Sequence, residues 1–228
     1  MPEATLSVVL IPAFRPGGSL VSLAEDLASD SACRVVIIDD GSGPEFRSIF
    51  DRAEALPNVH LVRHYTNLGK GAALKTGLNY AMVRFPGCVG VVTADADGQH
   101  HADDIRAVAE KLQAHPDKLV LGARQFDHDV PFRSKIGNTA TRTLMRLVVG
   151  QKLTDTQTGL RGIPAALVPT LLRLPSTGYE FELDMLIACK HQACAIVETP
   201  IRTIYLEGNK SSHFRPVADS MRMVTVYS

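Results

Sequence analysis

The sequence predicts an α/β fold: a mostly parallel central sheet with helices on both faces, in a single domain of 228 residues. Three observations lead there. Short, solidly apolar runs alternate with stretches of helical spacing through the first half of the chain, the pattern of a sheet covered on both sides. Polar or conformationally special residues follow directly on several of those runs, at the carboxyl ends of the expected strands, where such sheets bind ligands. With 45% hydrophobic residues, the chain can also bury a substantial core.

The elements follow in order. Leu6 to Ile11 is a continuous apolar run closed by Pro12, and Ser19 to Ala28 has helical spacing. Arg34 to Ile38 is a second run, ended by Asp39-Asp40-Gly41-Ser42-Gly43. Val59 to Val62 is the third, followed by a helical stretch from about Gly71 to Val83. Val89 to Thr93 is the fourth, followed by a helix over Ala102 to Ala114, and Leu119 to Leu121 is the fifth. Beyond it the alternation fades. Ser134 to Val149 is a helical segment with Arg142 and Arg146 on one face, a basic stripe that suits either solvent or a phosphate. Asp155 to Gly162 reads as a polar loop, Tyr179 to Asp184 opens a further helix with acids at its N-terminus, and Glu207 to Arg215 is a polar loop placed to act as a lid.

Charge and cysteine usage narrow the function classes. Lys plus Arg and Asp plus Glu balance at 24 each, so nothing global favours nucleic acid as a partner. Cys33, Cys88, Cys189 and Cys194 lie in apolar surroundings without a CxxC pair, as expected of reduced, buried thiols in a cytosolic protein. The N-terminus has no signal-peptide pattern, and no run of roughly 18 apolar residues suggests a membrane span.

Val91 to His100, Val-Val-Thr-Ala-Asp-Ala-Asp-Gly-Gln-His, carries the most chemistry. On extended backbone Asp95 and Asp97 point to the same side, with Gln99 in phase. Convergent carboxylates at a strand end suit a hard divalent cation that completes its shell with substrate phosphates. Plain capping of the next helix competes with that reading, and an EF-hand loop fits worse, because a strand precedes it. No GxxxxGK[ST] loop occurs, nor a GxGxxG after the first strand, which argues against P-loop and dinucleotide-binding enzymes. Instead Asn67 to Gly77 sets a Gly-Lys-Gly turn at a helix start, where backbone N–H groups and Lys70 could meet an anion.

Taken together, IPAFRPG (11–17), IDDGSG (38–43), NLGKGAALKTG (67–77), TADADGQH (93–100), DTQTGLRG (155–162), YEFELDML (179–186) and GNKSSHFR (208–215) resemble the family 2 inverting glycosyltransferases of GT-A fold. The likeness is to the branch with dolichyl-phosphate mannose synthase and bacterial polyprenyl-phosphate glycosyltransferases. It covers nearly the whole chain and keeps motif order. Two positions depart from the pattern. Arg15 stands where Asn or Glu commonly follows the aromatic, and His213 stands where the synthases carry a lysine.

The resemblance implies metal-dependent, inverting transfer of a sugar from a nucleotide-diphosphate sugar to a polyprenyl phosphate. Residues 1–122 would form the donor half and 123–228 the acceptor half. Pro12, Ala13, Phe14 and Asp39 or Asp40 would line the base and ribose pocket, with Lys70 nearby. Asp95, Asp97 and Gln99 would hold Mg²⁺ or Mn²⁺ against the diphosphate, with Ala96 beside it. Arg124 and Arg133 would receive the acceptor phosphate, and Asp155 would stand near the reacting carbon. Arg202, Lys210 and His213 would close on the leaving diphosphate, Lys210 or Arg215 taking the role of the missing lysine. Such an enzyme would work at the cytoplasmic face of a membrane, touching its surface peripherally. A nucleotidyltransferase is the competing enzyme class, although Pro12 to Gly17 substitutes poorly for its Gly-rich loop. A catalytically silent nucleotide-sugar sensor is the non-enzymatic alternative. GDP and UDP donors stay equally open.

Overall fold

The computed structural model describes residues 7–124, 153–155 and 158–202. Among these, strands β1 (Ser7–Ala13), β2 (Cys33–Asp39), β3 (Val59–Arg63), β4 (Gly90–Thr93), β5 (Leu119–Arg124), β6 (Arg161–Pro164) and β7 (Ile196–Ile201) form one sheet in the order β3-β2-β1-β4-β6-β5-β7. Helices α1 (Ser19–Ala28), α2 (Arg47–Glu54), α3 (Lys70–Arg84) and α4 (Ala102–Ala114) lie between the early strands. A short helix, Val168–Leu172, and a longer one, Phe181–His191, precede β7.

Period-two alternation divides the strand side chains between two cores. Val8, Leu10, Val36, Ile38 and Val91 face Leu74, Leu78 and Ala81 of α3 and Phe181, Met185 and Leu186 of the later helix. Val9, Ile11, Val35, Ile37 and Val92 face the other way, onto Leu20, Leu23 and Leu27 of α1, Phe50 of α2 and Ile105, Val108 and Leu112 of α4. These strands are buried on both faces, which is why they read as unbroken apolar runs rather than alternating ones.

β1 pairs in parallel with β2 and β4, and β2 with β3, so their carboxyl ends lie along one edge. β6 is the exception. It runs antiparallel between β4 and β5, with Thr93 opposite Arg161 and Leu121 opposite Arg161 on the other side. The expected loop Asp155 to Gly162 therefore ends inside a strand, and the sheet is mixed. An arginine fully buried in the sheet misled the sequence reading: Arg161 is 1% exposed. Its Nε donates to the Thr158 carbonyl (2.9 Å), and its Nη1 donates to the Glu182 carbonyl. A buried guanidinium satisfied by backbone oxygens looks polar in sequence and behaves as core.

Candidate active site

Three loops meet at the carboxyl edge of β1, β2 and β4. The Asp40 N–H donates to the Ala13 carbonyl (2.9 Å), and the Ala94 N–H donates to the Leu10 carbonyl (3.0 Å). The Arg15 N–H donates to Ser42 Oγ (2.9 Å), and Ser19 Oγ donates to the Ala96 carbonyl (3.1 Å). Pro12 is half-buried and Ala13 buried, and Phe14 projects from the end of β1 with 44% of its surface exposed. Arg15 lies over the Phe14 ring, 5.1 Å from its centroid. An exposed aromatic at a strand end offers a flat apolar surface to a planar ligand.

The two adjacent acids at the end of β2, Asp39 and Asp40, do different things. Asp39 Oδ1 accepts the Ser42 N–H (2.9 Å). Asp40 is committed to the chain itself. Its Oδ1 accepts the Leu68 N–H (2.9 Å) and lies 2.7 Å from His64 Nδ1, and its Oδ2 accepts the Gly69 N–H and Asn67 Nδ2 (2.9 Å each). The other ring nitrogen of His64 meets Thr76 Oγ1 at 2.9 Å. Gly41 makes this closure sterically possible: its φ is +70°, and a Cβ there would lie 2.2 Å from the Thr66 carbonyl carbon. The N-terminus of α3 is therefore occupied by the chain's own groups. Asp40 takes the Leu68 and Gly69 amides, and the Thr177 carbonyl accepts the Ala72 N–H (2.9 Å). The anion expected at that turn is in part an internal carboxylate.

Lys70 instead reaches across to the acidic pair. Its Nζ lies 2.7 Å from Asp95 Oδ1 and 3.1 Å from each Glu182 carboxylate oxygen. Burial alone would lower the Lys70 pKa, but Asp95 and Glu182 outweigh it and hold the ammonium above its ordinary value. Burial would likewise raise Asp95, yet Lys70 and then His100 hold its carboxyl well below the usual range. Gly159 backs the same carboxylate, since a Cβ there would stand 2.2 Å from Asp95 Oδ2. Thr93 Oγ1 fixes that wall by donating to the Gly159 carbonyl (2.8 Å).

Asp97 reaches solvent, and its Oδ1 accepts the Gln99 N–H (2.9 Å). The protein around it and the neighbouring Asp95 carboxylate raise its pKa above the ordinary value, against the pull of that N–H. Among the described residues no three His, Cys, Asp or Glu side chains gather into a metal cage. The donor set fits a hard divalent ion of the open kind, held by one or two carboxylates and completed by substrate phosphates. Asp95, Asp97 and Gln99 supply oxygen donors only, consistent with Mg²⁺ or Mn²⁺.

On the β5 side, Arg124 forms a forked pair with Asp155: Nε donates to Oδ2 (2.6 Å) and Nη2 to Oδ1 (3.2 Å). Asp155 is fully buried. Glu198 of β7 pins this segment by accepting the Thr154 N–H (2.6 Å) and hydroxyl (2.5 Å). Arg202 at the end of β7 turns to the first turn of α4. Its Nε meets Asp104 Oδ1 at 3.3 Å and its Nη2 meets Asp103 Oδ2 at 3.2 Å. Arg133, Lys210 and His213, the helix expected over Ser134 to Val149 and the lid expected over Glu207 to Arg215 lie outside the described residues.

Glu182, His64, His100 and Arg161 belong to this constellation and were not singled out in the sequence. Glu182 had the look of a helix-capping acid, and His100 that of the tail of the acidic motif. His64 carries no local pattern at all.

The chain belongs to glycosyl transferase family 2, whose model matches residues 8–195. It is 30% identical over 208 residues to an uncharacterised protein of Methanocaldococcus jannaschii, covering 89% of this chain and 83% of that one. It is also 30% identical over 221 residues to the UDP-N-acetylglucosamine–dolichyl-phosphate N-acetylglucosaminyltransferase of Methanococcus voltae, covering 89% and 87%. The undecaprenyl-phosphate mannosyltransferase of Micrococcus luteus is 29% identical over 184 residues, covering 78% and 74%. Among solved structures, glucosyl-3-phosphoglycerate synthase of Mycobacterium tuberculosis with Mn²⁺, UDP and glucosyl-3-phosphoglycerate superposes with a TM-score of 0.69. At 17% identity over 97% of this chain and 76% of that one, the likeness is one of fold.

Proposed function

We propose that this enzyme transfers a sugar from a nucleotide-diphosphate sugar to a polyprenyl phosphate, with Mg²⁺ or Mn²⁺, and with inversion at the anomeric carbon. One observation carries the donor side: Asp95 and Asp97 at the carboxyl end of β4, with Lys70 2.7 Å from Asp95. Relatives named for lipid-phosphate acceptors support the acceptor class. The Mn²⁺ and Mg²⁺ bound with UDP in fold neighbours support the metal.

In this reading Pro12, Ala13, Phe14 and Asp39 line the nucleotide pocket, and Asp40 builds its wall. Asp95, Asp97 and Gln99 would hold the divalent ion, which supplies Lewis-acid neutralisation of the leaving diphosphate. Lys70 adds a fixed positive charge beside the same anion, an effect of about 2–4 kcal/mol on a barrier when well placed. Arg124 sits at the carboxyl edge of β5 and offers a guanidinium to the acceptor phosphate, and Asp155 holds its orientation. Arg124 engages both Asp155 oxygens, so the part of Asp155 is to orient that guanidinium. No general base is required, because a phosphate monoester with a second pKa of about 6 is already largely dianionic at neutral pH. In-line attack opposite the leaving group converts an α-linked donor into a β-linked lipid-phosphate sugar.

Residues 1–122 act as the donor half and 123–228 as the acceptor half in this scheme, Arg133, Lys210 and His213 serving the phosphate groups. The acceptor places the enzyme at the cytoplasmic face of a membrane, by surface contact. No helix among the described residues is long and apolar enough to cross one.

The test mixes GDP-mannose, UDP-glucose or UDP-N-acetylglucosamine with Mn²⁺ and undecaprenyl phosphate and follows the products. Release of nucleoside diphosphate with formation of a lipid-phosphate sugar supports the proposal. Pyrophosphate exchange would mark a nucleotidyltransferase, and binding without either product a sensor.

A further inference from the structure

His100 is 9% exposed, and neither Nδ1 nor Nε2 has a hydrogen-bond partner. A buried imidazole with both nitrogens unsatisfied is unfavourable, and native structures keep such groups where a ligand or a second state supplies the missing partner. Its Nε2 lies 3.5 Å from Asp95 Oδ2, an ion-pair separation longer than a well-formed hydrogen bond. His100 stands two residues before the start of α4, next in sequence to Gln99 of the acidic motif.

The other partner of Asp95 is fully committed. The Lys70 ammonium carries three N–H donors, and three oxygens already surround it: Asp95 Oδ1 at 2.7 Å and both oxygens of Glu182 at 3.1 Å. Lys70 can serve a donor diphosphate only by giving up one of these contacts. Glu182 is held on the helix Phe181–His191, whose own carbonyl at that residue is bound by Arg161. The Asp95 contact is the one that lies on the side of the acidic motif. Asp95 has no room to follow Lys70 away from His100 toward the β6 side, because the Gly159 backbone stands against its Oδ2.

We propose that His100 is a positioning residue for the nucleotide-diphosphate donor: it holds Asp95 by an Nε2–H to Oδ2 hydrogen bond when Lys70 turns to the diphosphate. The inference rests on the donor reading above. In the free enzyme Lys70 is the main partner of the carboxylate, with His100 farther off at 3.5 Å, and in the donor complex His100 closes to hydrogen-bond distance, so that the acidic motif keeps its shape while its cation is shared. His100 acts through Asp95 and touches no reacting atom.

The experiment compares His100→Phe, which keeps ring volume and removes the N–H, with His100→Gln, which restores an N–H donor near the Nε2 position. Calorimetry with UDP and GDP in Mn²⁺ gives binding, and steady-state kinetics give the KM for donor sugar and for lipid phosphate separately. Expected for His100→Phe is a loss of nucleoside diphosphate affinity of roughly 10–100-fold. The donor KM should rise in step and the lipid-phosphate KM stay unchanged, with His100→Gln recovering most of the loss. Unchanged affinity in His100→Phe overturns the proposal, whether or not its melting temperature falls, since a ring that only packs would show that pattern. Equal rises in both KM values also overturn it. A wild-type enzyme that binds neither diphosphate removes the donor reading itself, and is recognised before any variant is compared.

Discussion

Lys70 Nζ stands 2.7 Å from Asp95 Oδ1, which ties the start of α3 to the end of β4 through a largely buried charge pair. Glu182, from the helix before β7, completes the contact. The pair thus joins both halves of the chain at one ammonium. Replacing Lys70 with Met leaves two carboxylates facing each other without a cation. Breaking a buried pair from one side costs about 3–5 kcal/mol. Urea unfolding should show a loss of that order, and calorimetry should show weaker nucleoside diphosphate binding. A Lys70→Met protein of wild-type stability would mean that solvent already screens the pair.

Gly159→Ala tests whether Asp95 must stay where it is. The added Cβ would fall 2.2 Å from Asp95 Oδ2, so the carboxylate has to move. Catalysis should drop by about 100-fold, a size expected when a positioned group shifts by about 1 Å. Circular dichroism should remain that of the wild type. Full activity would show that Asp95 can be displaced without consequence for donor binding.

Asp39 and Asp40 should separate cleanly. Asp40→Ala strips the Leu68, Gly69 and Asn67 donors of their acceptor at a site 3% exposed. Stability should fall by about 2–3 kcal/mol, the cost of leaving buried groups unsatisfied. Asp39→Asn removes charge but keeps an acceptor for the Ser42 N–H, so its effect should appear in nucleotide affinity and hardly in unfolding. The reverse pattern would exchange their roles.

The thiols make a pH prediction. Cys189 and Cys194 face each other across the end of the helix Phe181–His191. There Ala193 adopts φ 52°, its N–H donates to the Lys190 carbonyl (3.2 Å), and the Cys194 N–H donates to the Cys189 carbonyl (2.9 Å). Their hydrogen bond lowers the Cys194 thiol to about 7 and raises Cys189, while burial pushes Cys33 up to about 11. Thiolate is the reactive form, so alkylation at Cys194 should accelerate as pH rises through about 7 and then level off. Cys33 should stay inert in the same range. Peptide mapping after iodoacetamide treatment reads this directly, and labelling of Cys189 before Cys194 would contradict it.

Much of the sheet was legible because its central strands are buried on both faces and therefore unbroken in sequence. Ser19–Ala28 and Ala102–Ala114 appear with the bounds their spacing predicts. α2 was missed: Arg47–Glu54 is eight residues long, and it buries only Phe50 and Ala53, too few for a clear periodicity. β6 was missed because a buried arginine and a glycine look like loop chemistry in sequence, and the antiparallel strand depends on long-range pairing with Gly90–Thr93. β7 alternates too weakly to stand out, its residues Ile196 to Thr199 being half-buried.

At the site, the sequence placed the acidic motif at the end of a strand, and β4 does end just before it, at Thr93; Ala96 and Asp97 form a turn rather than extended backbone, so period-two spacing does not set the directions of Asp95 and Asp97. Nothing local could give the Lys70–Glu182 contact, 112 residues apart. The same holds for His64 against Asp40, or for Arg202 turned toward Asp103 and Asp104, since each depends on how the loops close over the sheet edge.

Asp97 decides the central claim. It is the exposed carboxylate of the acidic pair, so its substitution should leave the fold intact while removing metal affinity and neutralisation of the leaving diphosphate. The measurement is sugar transfer to undecaprenyl phosphate by a folded Asp97→Asn enzyme at saturating Mn²⁺, with the best donor of the panel. The expected result is a turnover lower by about 100–1,000-fold or more, with an unchanged unfolding midpoint. Turnover near that of the wild type would contradict a metal-assisted transfer at the end of β4.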